Sequence, residues 1–258
     1  MGSIRNTIII LLFCNISIYA QQARFTSSGI IEFEKSTNMY AIMKKRINKD
    51  NENYMQPVYE QYRKGNPQFM LLKSTLVFSG QQSLFTPIAP EANAEMGFFN
   101  GNPMAEQHNI VYTDHGSDSF TAQKKVYEET FLVRDKRRKI NWKVTTETRE
   151  IAGYQCRRAN AIILDSVYVV AFYTDQIPLS GGPESFSGLP GMILGVALPH
   201  ENITWFAKSV KDQPVNTATI KAPTKGKPMD RATLTSTLQS IMKSWGDYTS
   251  TALKAFSL

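Results

Sequence analysis

His108, His115 and His200 are the only histidines in the chain, and none stands at a spacing that makes a structural metal motif. Asp114-His115 with Asp118 comes nearest to a ligand cluster, and solvated loop residues account for it better. Ser185 and Ser187 lie in a glycine-rich stretch, yet no Gly-x-Ser-x-Gly elbow surrounds either one. A phosphate-cradling Gly-Lys-Ser/Thr is absent, and so is a GxGxxG run after a strand. Acidic residues are common throughout, and nothing in their spacing selects a catalytic pair. The residues therefore assign no catalytic group, no metal and no cofactor. A hydrolase stays open only through a Ser–His or carboxylate convergence that folding would have to create.

Basic runs stand at Lys44-Lys45-Arg46, at residues 134–139 and at residues 221–227. With 29 Lys plus Arg against 22 Asp plus Glu, the formal charge is +7, which favours anionic partners. In a cytosolic protein nucleic acid would come first. The N-terminus argues for another compartment. Arg5 precedes an unbroken apolar run at residues 8–13, which fades through Cys14 and Asn15 to Tyr19-Ala20. This predicts a secretory signal over residues 1–20, cut after Ala20 or after Ala23. The run is far short of the roughly 20 residues that span a bilayer. Phe13 before Cys14 speaks against a lipoprotein signal. The mature chain is then expected without a transmembrane span, in the periplasm or at the periphery of an outer membrane. It carries one cysteine, Cys156, which reads as a small buried hydrophobe.

The elements that position these residues are mostly strands. At 258 residues and 42% hydrophobic content, residues 21–258 can bury one core. Aromatics at 11% suit pleated surfaces. Residues 29–34 alternate apolar and polar, as a half-buried strand does. Residues 39–46 are ambiguous between strand and helix, and 57–67 read as strand plus turn. Residues 69–72 and 76–78 are short strand-like runs. From 79 to 119, Pro, Gly and Asn punctuate a weakly periodic segment, which predicts a long loop excursion. Strands are expected at 126–134, with a turn at 135–138, at 140–148 and at 154–164. Residues 168–173 should be buried on both faces. A hairpin should join 192–198 to 203–210. A Pro- and Lys-rich linker, 214–228, leads to Asp230 as helix N-cap. Leu234, Leu238, Ile241, Met242 and Trp245 form one apolar helical stripe packed on the sheet. The fold class is mainly β (α+β), an antiparallel meander.

Residues 171–195 carry the most distinctive pattern. Gly188-Leu189-Pro190-Gly191-Met192-Ile193 resembles the signature for which the GLPGLI family is named, with Met192 in place of a leucine. Gly182-Pro183, Phe186, Phe172-Tyr173 and the run Trp142…Ala152-Gly153-Tyr154-Gln155-Cys156…Ala159 fit the same resemblance. It is strongest over residues 126–211. It implies an exported protein of Bacteroidota envelopes, without an established activity or catalytic residues. The Ala-Gly-Tyr-x-Cys run is also similar to proteins built as open antiparallel half-barrels, such as the outer-membrane lipoprotein carriers.

Leu189-Pro190-Gly191-Met192 suits a type II turn, with Pro190 fixing φ and Gly191 taking φ > 0. Leu189, Met192, Ile193 and Leu194 would plug the sheet, either as a structural corner or as the rim of a ligand cavity. The expected function is a non-enzymatic envelope protein that binds an apolar ligand such as a lipid or peptide, or a partner protein. An accessory subunit of an envelope transport complex is the alternative, and an envelope hydrolase the second. An apolar cavity under the sheet favours the first, and a filled core with an exposed apolar patch favours the subunit.

Overall fold

The computed structural model describes residues 25–89, 102–106, 108–246 and 248–258. The expected signal at residues 1–20 lies outside the described residues. β1 (Ser28–Asn38) alternates burial without interruption, placing Ile31, Phe33, Lys35 and Thr37 on one face. After two helices, α1 (Met39–Lys45) and α2 (Glu52–Gly65), five strands follow as a meander. They are β2 (Phe69–Ser79), β3 (Gln82–Pro87), β4 (Ile110–Asp114), β5 (Ser119–Val126) and β6 (Glu129–Lys136). A second meander comprises β7 (Lys143–Ile151), β8 (Tyr154–Ile163), β9 (Val167–Thr174), β10 (Met192–Leu198) and β11 (Ile203–Asp212). β12 (Lys227–Met229), α3 (Arg231–Ile241) and α4 (Tyr248–Ser257) complete the chain.

All the strands join one open sheet in the order β12-β6-β5-β4-β3-β2-β1-β11-β10-β9-β8-β7. β1 unites the two meanders by pairing with β2 on one side and β11 on the other. Every pairing is antiparallel except β12 with β6, which makes the sheet mixed. β6 and β7 are consecutive in the chain yet stand near opposite ends of the sheet. Residues 137–142 connect them, and so few residues reach at most about 25 Å. The sheet must therefore curl until its ends approach, giving the open half-barrel.

The concave side is filled by the chain itself. Ala252 of α4 packs with a cluster that runs across the sheet, from Phe131, Phe85, Phe78 and Phe33 to Cys156, Phe172 and Met192. Ala255 and Leu258 pack with the β8–β11 cluster, which includes Tyr173, Ile193 and Trp205. Asp230 caps α3 as expected, its Oδ1 accepting from the Thr233 N–H at 2.7 Å. Leu234, Leu238 and Met242 are buried. Ile241, the last residue of α3, is exposed, and so is Trp245, because the stripe loses its helical phase beyond Ile241.

Four local expectations are corrected. Residues 57–66 belong to α2 and its C-cap rather than to a strand, and Pro67 follows the cap. Pro57 is exposed inside that helix, as is Asn53, whose carbonyl would have bonded the missing N–H and can take water instead. The excursion at 79–119 contains β3 and β4, joined to β2 through a tight turn at Gly80-Gln81. An inward Ser83 blurred the alternation of β3. Residues 126–134 span the end of β5 and most of β6, which reverse at Tyr127-Glu128, so 135–138 is not the hairpin turn. Tyr127 takes φ 54 without a glycine to signal it. Residues 140–142 precede β7 rather than belonging to it.

Candidate functional site

The connection between β9 and β10 holds the signature from Gly182 to Gly191, and Met192 and Ile193 open β10. It turns three times by hydrogen bonds that span only two residues. Leu179 N–H donates to Ile177 O, Gly181 N–H to Leu179 O and Gly191 N–H to Leu189 O, each at 2.8 Å. Leu189–Gly191 is therefore a γ-turn centred on Pro190, not a type II turn. The reason lies at Gly191, whose φ is 148. A Cβ there would stand 2.0 Å from the Thr174 carbonyl oxygen. The glycine serves close backbone approach as well as an unusual φ. Gly182 is similarly enclosed, with Ile193 Cβ 2.8 Å from where its own Cβ would stand.

The loop is tied down from all sides. Met192 N–H reaches Ile177 O at 3.0 Å, and Ile193 N–H reaches Gly181 O at 2.8 Å. Trp142 Nε1 donates to Ser187 O at 2.9 Å, and Gly188 N–H to Ser180 Oγ at 2.9 Å. Pro183, Phe186, Leu189, Met192 and Ile193 are buried, while Gly188 and Pro190 reach the surface. Phe186 packs against Trp205 with centroids 5.9 Å apart.

Beneath the loop lies a polar interior. Lys35 on β1 and Lys124 on β5 point inward, 3% and 7% exposed. Lys35 Nζ donates to Glu106 O at 2.6 Å and sits 5.0 Å from the Trp205 ring centre. Lys124 Nζ donates to Phe256 O at 3.1 Å. Burial pulls both lysines down to about 8, and Glu184 opposes the fall in each. Glu184 comes from the signature loop, is buried, and accepts from Asn109 Nδ2 at 2.8 Å. Its φ of 52 is a strained setting for a residue with a Cβ. The cavity lined by Lys35, Glu106, Asn109, Glu184 and Trp205 measures about 30 Å³. That is room for about two waters, against several hundred Å³ for a usual ligand pocket.

Neither Glu184 nor the lysines stood out in the sequence reading. Strand parity alone hints at the lysines. Ile31, Phe33, Lys35 and Phe120, Ala122, Lys124 each place a lysine on the apolar parity of a strand.

The other chemistry-bearing residues are drawn into different contacts. Asp114 Oδ1 accepts from Gly116 and Ser117 N–H, and Asp118 pairs with Arg137 at 2.7 Å. Among the described residues no three His, Cys, Asp or Glu converge on a metal-sized site. His115 Nε2 lies 3.0 Å from Ser83 Oγ, which resembles a nucleophile–base pair. Its Nδ1, however, lies 3.3 Å from Arg137 Nη1, which can only donate. Burial and Arg137 hold the imidazole down at about 4, so it is neutral at pH 7. Where Nδ1 accepts from Arg137, the neutral ring carries its proton on Nε2 and donates to Ser83. Catalysis needs the reverse polarity, with a carboxylate behind the ring. The pair is a structural latch, and Arg137 extends it by donating to Ser180 O at 3.2 Å. Cys156 is fully buried, and desolvation pushes its thiol up to about 12. Among the described residues no helix is long and apolar enough to cross a membrane.

At the mouth of the half-barrel, aromatic rings reach solvent. Tyr127 meets Trp245 at 5.4 Å and Phe256 at 5.5 Å, and Trp245 stacks on Tyr248 at 6.1 Å. Arg46 lies 5.6 Å from the Tyr248 ring centre. Tyr127 and Trp245 remain 39% and 38% exposed, which leaves part of this cluster without a protein cover.

A family described as a protein of unknown function (Porph_ging) matches residues 163–195, from the end of β8 through the signature loop. No curated protein matches the chain. Among solved structures, PNGF-II in a C2 crystal form is similar with a TM-score of 0.50 and 14% identity. The likeness covers 80% of this chain and 31% of PNGF-II, so the chain spans about a third of that protein's length. PNGF-II in a P21 form gives 0.49 at 15% identity, covering 82% and 33%. An uncharacterized conserved protein from Thermus thermophilus gives 0.39 at 4% identity, covering 80% and 92%. At such identities the likeness to PNGF-II is one of fold alone.

Proposed function

We propose that this chain is an exported, non-enzymatic protein of the bacterial envelope that works by docking to a partner protein. The observation that supports this is the full interior of the half-barrel. α4 and the signature loop occupy the space where a carrier would hold a lipid, and the described cavities inside amount to about 20–30 Å³ each. A lipid acyl chain needs an order of magnitude more room. The exposed Tyr127–Trp245 cluster offers a rigid aromatic contact, the residue type that anchors protein interfaces. The inverted Ser83–His115 polarity weighs against the hydrolase reading.

The signature resembles that of the GLPGLI family, and the match of residues 163–195 to a family of unknown function is in keeping with it. Its role is that of a structural corner: close packing accounts for Gly182 and Gly191 without a ligand.

A photo-cross-linking amino acid placed at position 245 in the native host tests the reading. It should give one discrete protein adduct that the same amino acid at exposed position 221 does not give. Lipid adducts at 245, or no adduct there, would contradict it. N-terminal sequencing of the recovered protein tests export separately, with Gln21 or Arg24 expected first.

A further inference from the structure

The linker after β11 passes the β2–β3 turn, and between them lies an open groove of about 460 Å³. That is the size of a usual ligand site, unlike the cavities inside the half-barrel. Three segments supply its walls. Ser79 and Gln82 flank the tight turn at Gly80-Gln81, Asp114 ends β4, and Thr217 and Ala218 open a single helical turn in the linker. The groove stands at the opposite end of β5 from Tyr127, since Asp114 pairs with Ser119 at the start of that strand. It is therefore separate from the aromatic cluster, and neither reading depends on the other.

Backbone bonds fix the walls and leave the side chains uncommitted. His115 N–H donates to Gln81 O at 2.8 Å, and Ala218 N–H donates to Asn216 Oδ1 at 3.0 Å. Asp114 Oδ1 accepts from the Ser117 and Gly116 N–H groups, which hold its carboxyl below the usual carboxylate range. Asp114 is thus ionised at pH 7, and its Oδ2 is left to accept. The side chains of Ser79, Gln81, Gln82 and Thr217 have no hydrogen-bond partner among the described residues. Gly80 takes φ 57, and a Cβ there would meet nothing within 4 Å, so the turn leaves the groove open on that side.

We propose that this groove binds a neutral saccharide, with ring hydroxyls set against Gln81, Gln82, Asp114 and Thr217. Two primary amides, two hydroxyls and a carboxylate offer donors and acceptors side by side, and neighbouring sugar hydroxyls both donate and accept. Other ligand classes fit the lining less well. An anion would meet Asp114 and no cation, and an apolar molecule would find no apolar side chain larger than that of Ala218. A peptide docks along a free strand edge or into an apolar pocket, whereas β2, β3 and β4 each lie between two neighbours in the sheet. No aromatic ring lines the groove for a sugar to stack on, so a single site binds weakly. Weak sites suit a glycan that repeats the same unit many times.

Saturation-transfer NMR of the full chain at pH 7 tests the site, with maltotriose, chitotriose and mannotriose as neutral probes and trigalacturonic acid as an acidic one. At least one neutral trisaccharide should show saturable transfer to its ring protons, and trigalacturonic acid should show none. Gln81→Ala and Gln82→Ala should each weaken binding by about tenfold, the loss of one hydrogen bond. Ala218→Trp should abolish it by filling the groove, while Gln61→Ala on the exposed face of α2 should stay within twofold. If Ala218→Trp lowers the melting temperature, Gln81→Ala at an exposed turn carries the test. The proposal fails if no neutral trisaccharide binds saturably, or if the groove variants bind as wild type does. It fails also if trigalacturonic acid binds as well as the neutral probes.

Discussion

The two ends of the half-barrel are built on opposite principles. Along β9 and β10 the sheet is apolar on both faces. β9 buries seven of its eight residues, and the signature loop closes over it through backbone hydrogen bonds and close contacts. Around β4–β6 the inner face carries Lys124 with Arg138 and Arg231 beside it, and the cover is a helix held by its last carbonyl groups. The first region gains stability from packing density. The second gives some up by enclosing charge. Departures of this second kind mark the places where a fold is shaped for something besides stability.

The contrast can be broken most severely at Cys156, which belongs to the apolar region. Its thiol is fully buried and pushed up to about 12, so labelling requires unfolding. Thiol reagents should react at least a thousandfold more slowly with native than with denatured protein, as a stability of about 5 kcal/mol implies. Rapid native labelling, followed by absorbance, would show that the β7–β8 region opens locally.

Gly191 comes next. Gly191→Val should cost more than about 4 kcal/mol, since the clash is with the Thr174 backbone and neither strand can move aside. Gly191→Asn should be nearly as damaging. Asparagine tolerates the left-handed helical region, but φ 148 lies far from it and the carbonyl contact remains. Thermal melts of both variants that matched wild type would dissolve the distinction between the regions.

The polar region makes a prediction about pH. Lys35 and Lys124 titrate near 8 in the folded chain and near 10.5 when unfolded. Between those values the unfolded chain holds protons that the folded chain has released, so stability rises with pH across the window. From pH 8 to 9 the gain should be about 1 kcal/mol per lysine. Above pH 9 the buried Cys156 thiol acts in the opposite sense, because the unfolded thiol ionises first. Lys124→Met should remove about half of the rise between pH 8 and 9, measured by denaturant unfolding. A flat profile in wild type would mean that the lysines are solvated.

The smallest effect is expected at the α3 cap, where Asp230→Ala should cost about 1 kcal/mol. A loss several times larger would mean that α3 supports the cation cluster through Arg231 more than its capping energy implies.

The apolar region was largely legible in the sequence and the polar region was not. Alternation and turn chemistry located β1, the β7–β8 turn at Ala152-Gly153, the buried β9, the β10–β11 hairpin and the Asp230 cap. These are local signals of period and capping. β3, β4 and the Tyr127 turn were hidden because an inward serine, proline punctuation and a tyrosine at positive φ break the local rules. The site needed long-range placement. Lys35, Lys124 and Glu184 are far apart in the chain, and only the parity of the two lysines hinted that charge was facing inward.

Native mass spectrometry of the protein released gently from its own cell envelope tests the central claim most directly. A half-barrel filled by its own helix and loop should appear free of lipid, as the chain alone or with a protein subunit. Replacing Trp245 with serine should remove that subunit. A stoichiometric lipid adduct that survives the same replacement would contradict the account, because it would require α4 to leave the interior and the cavity to open.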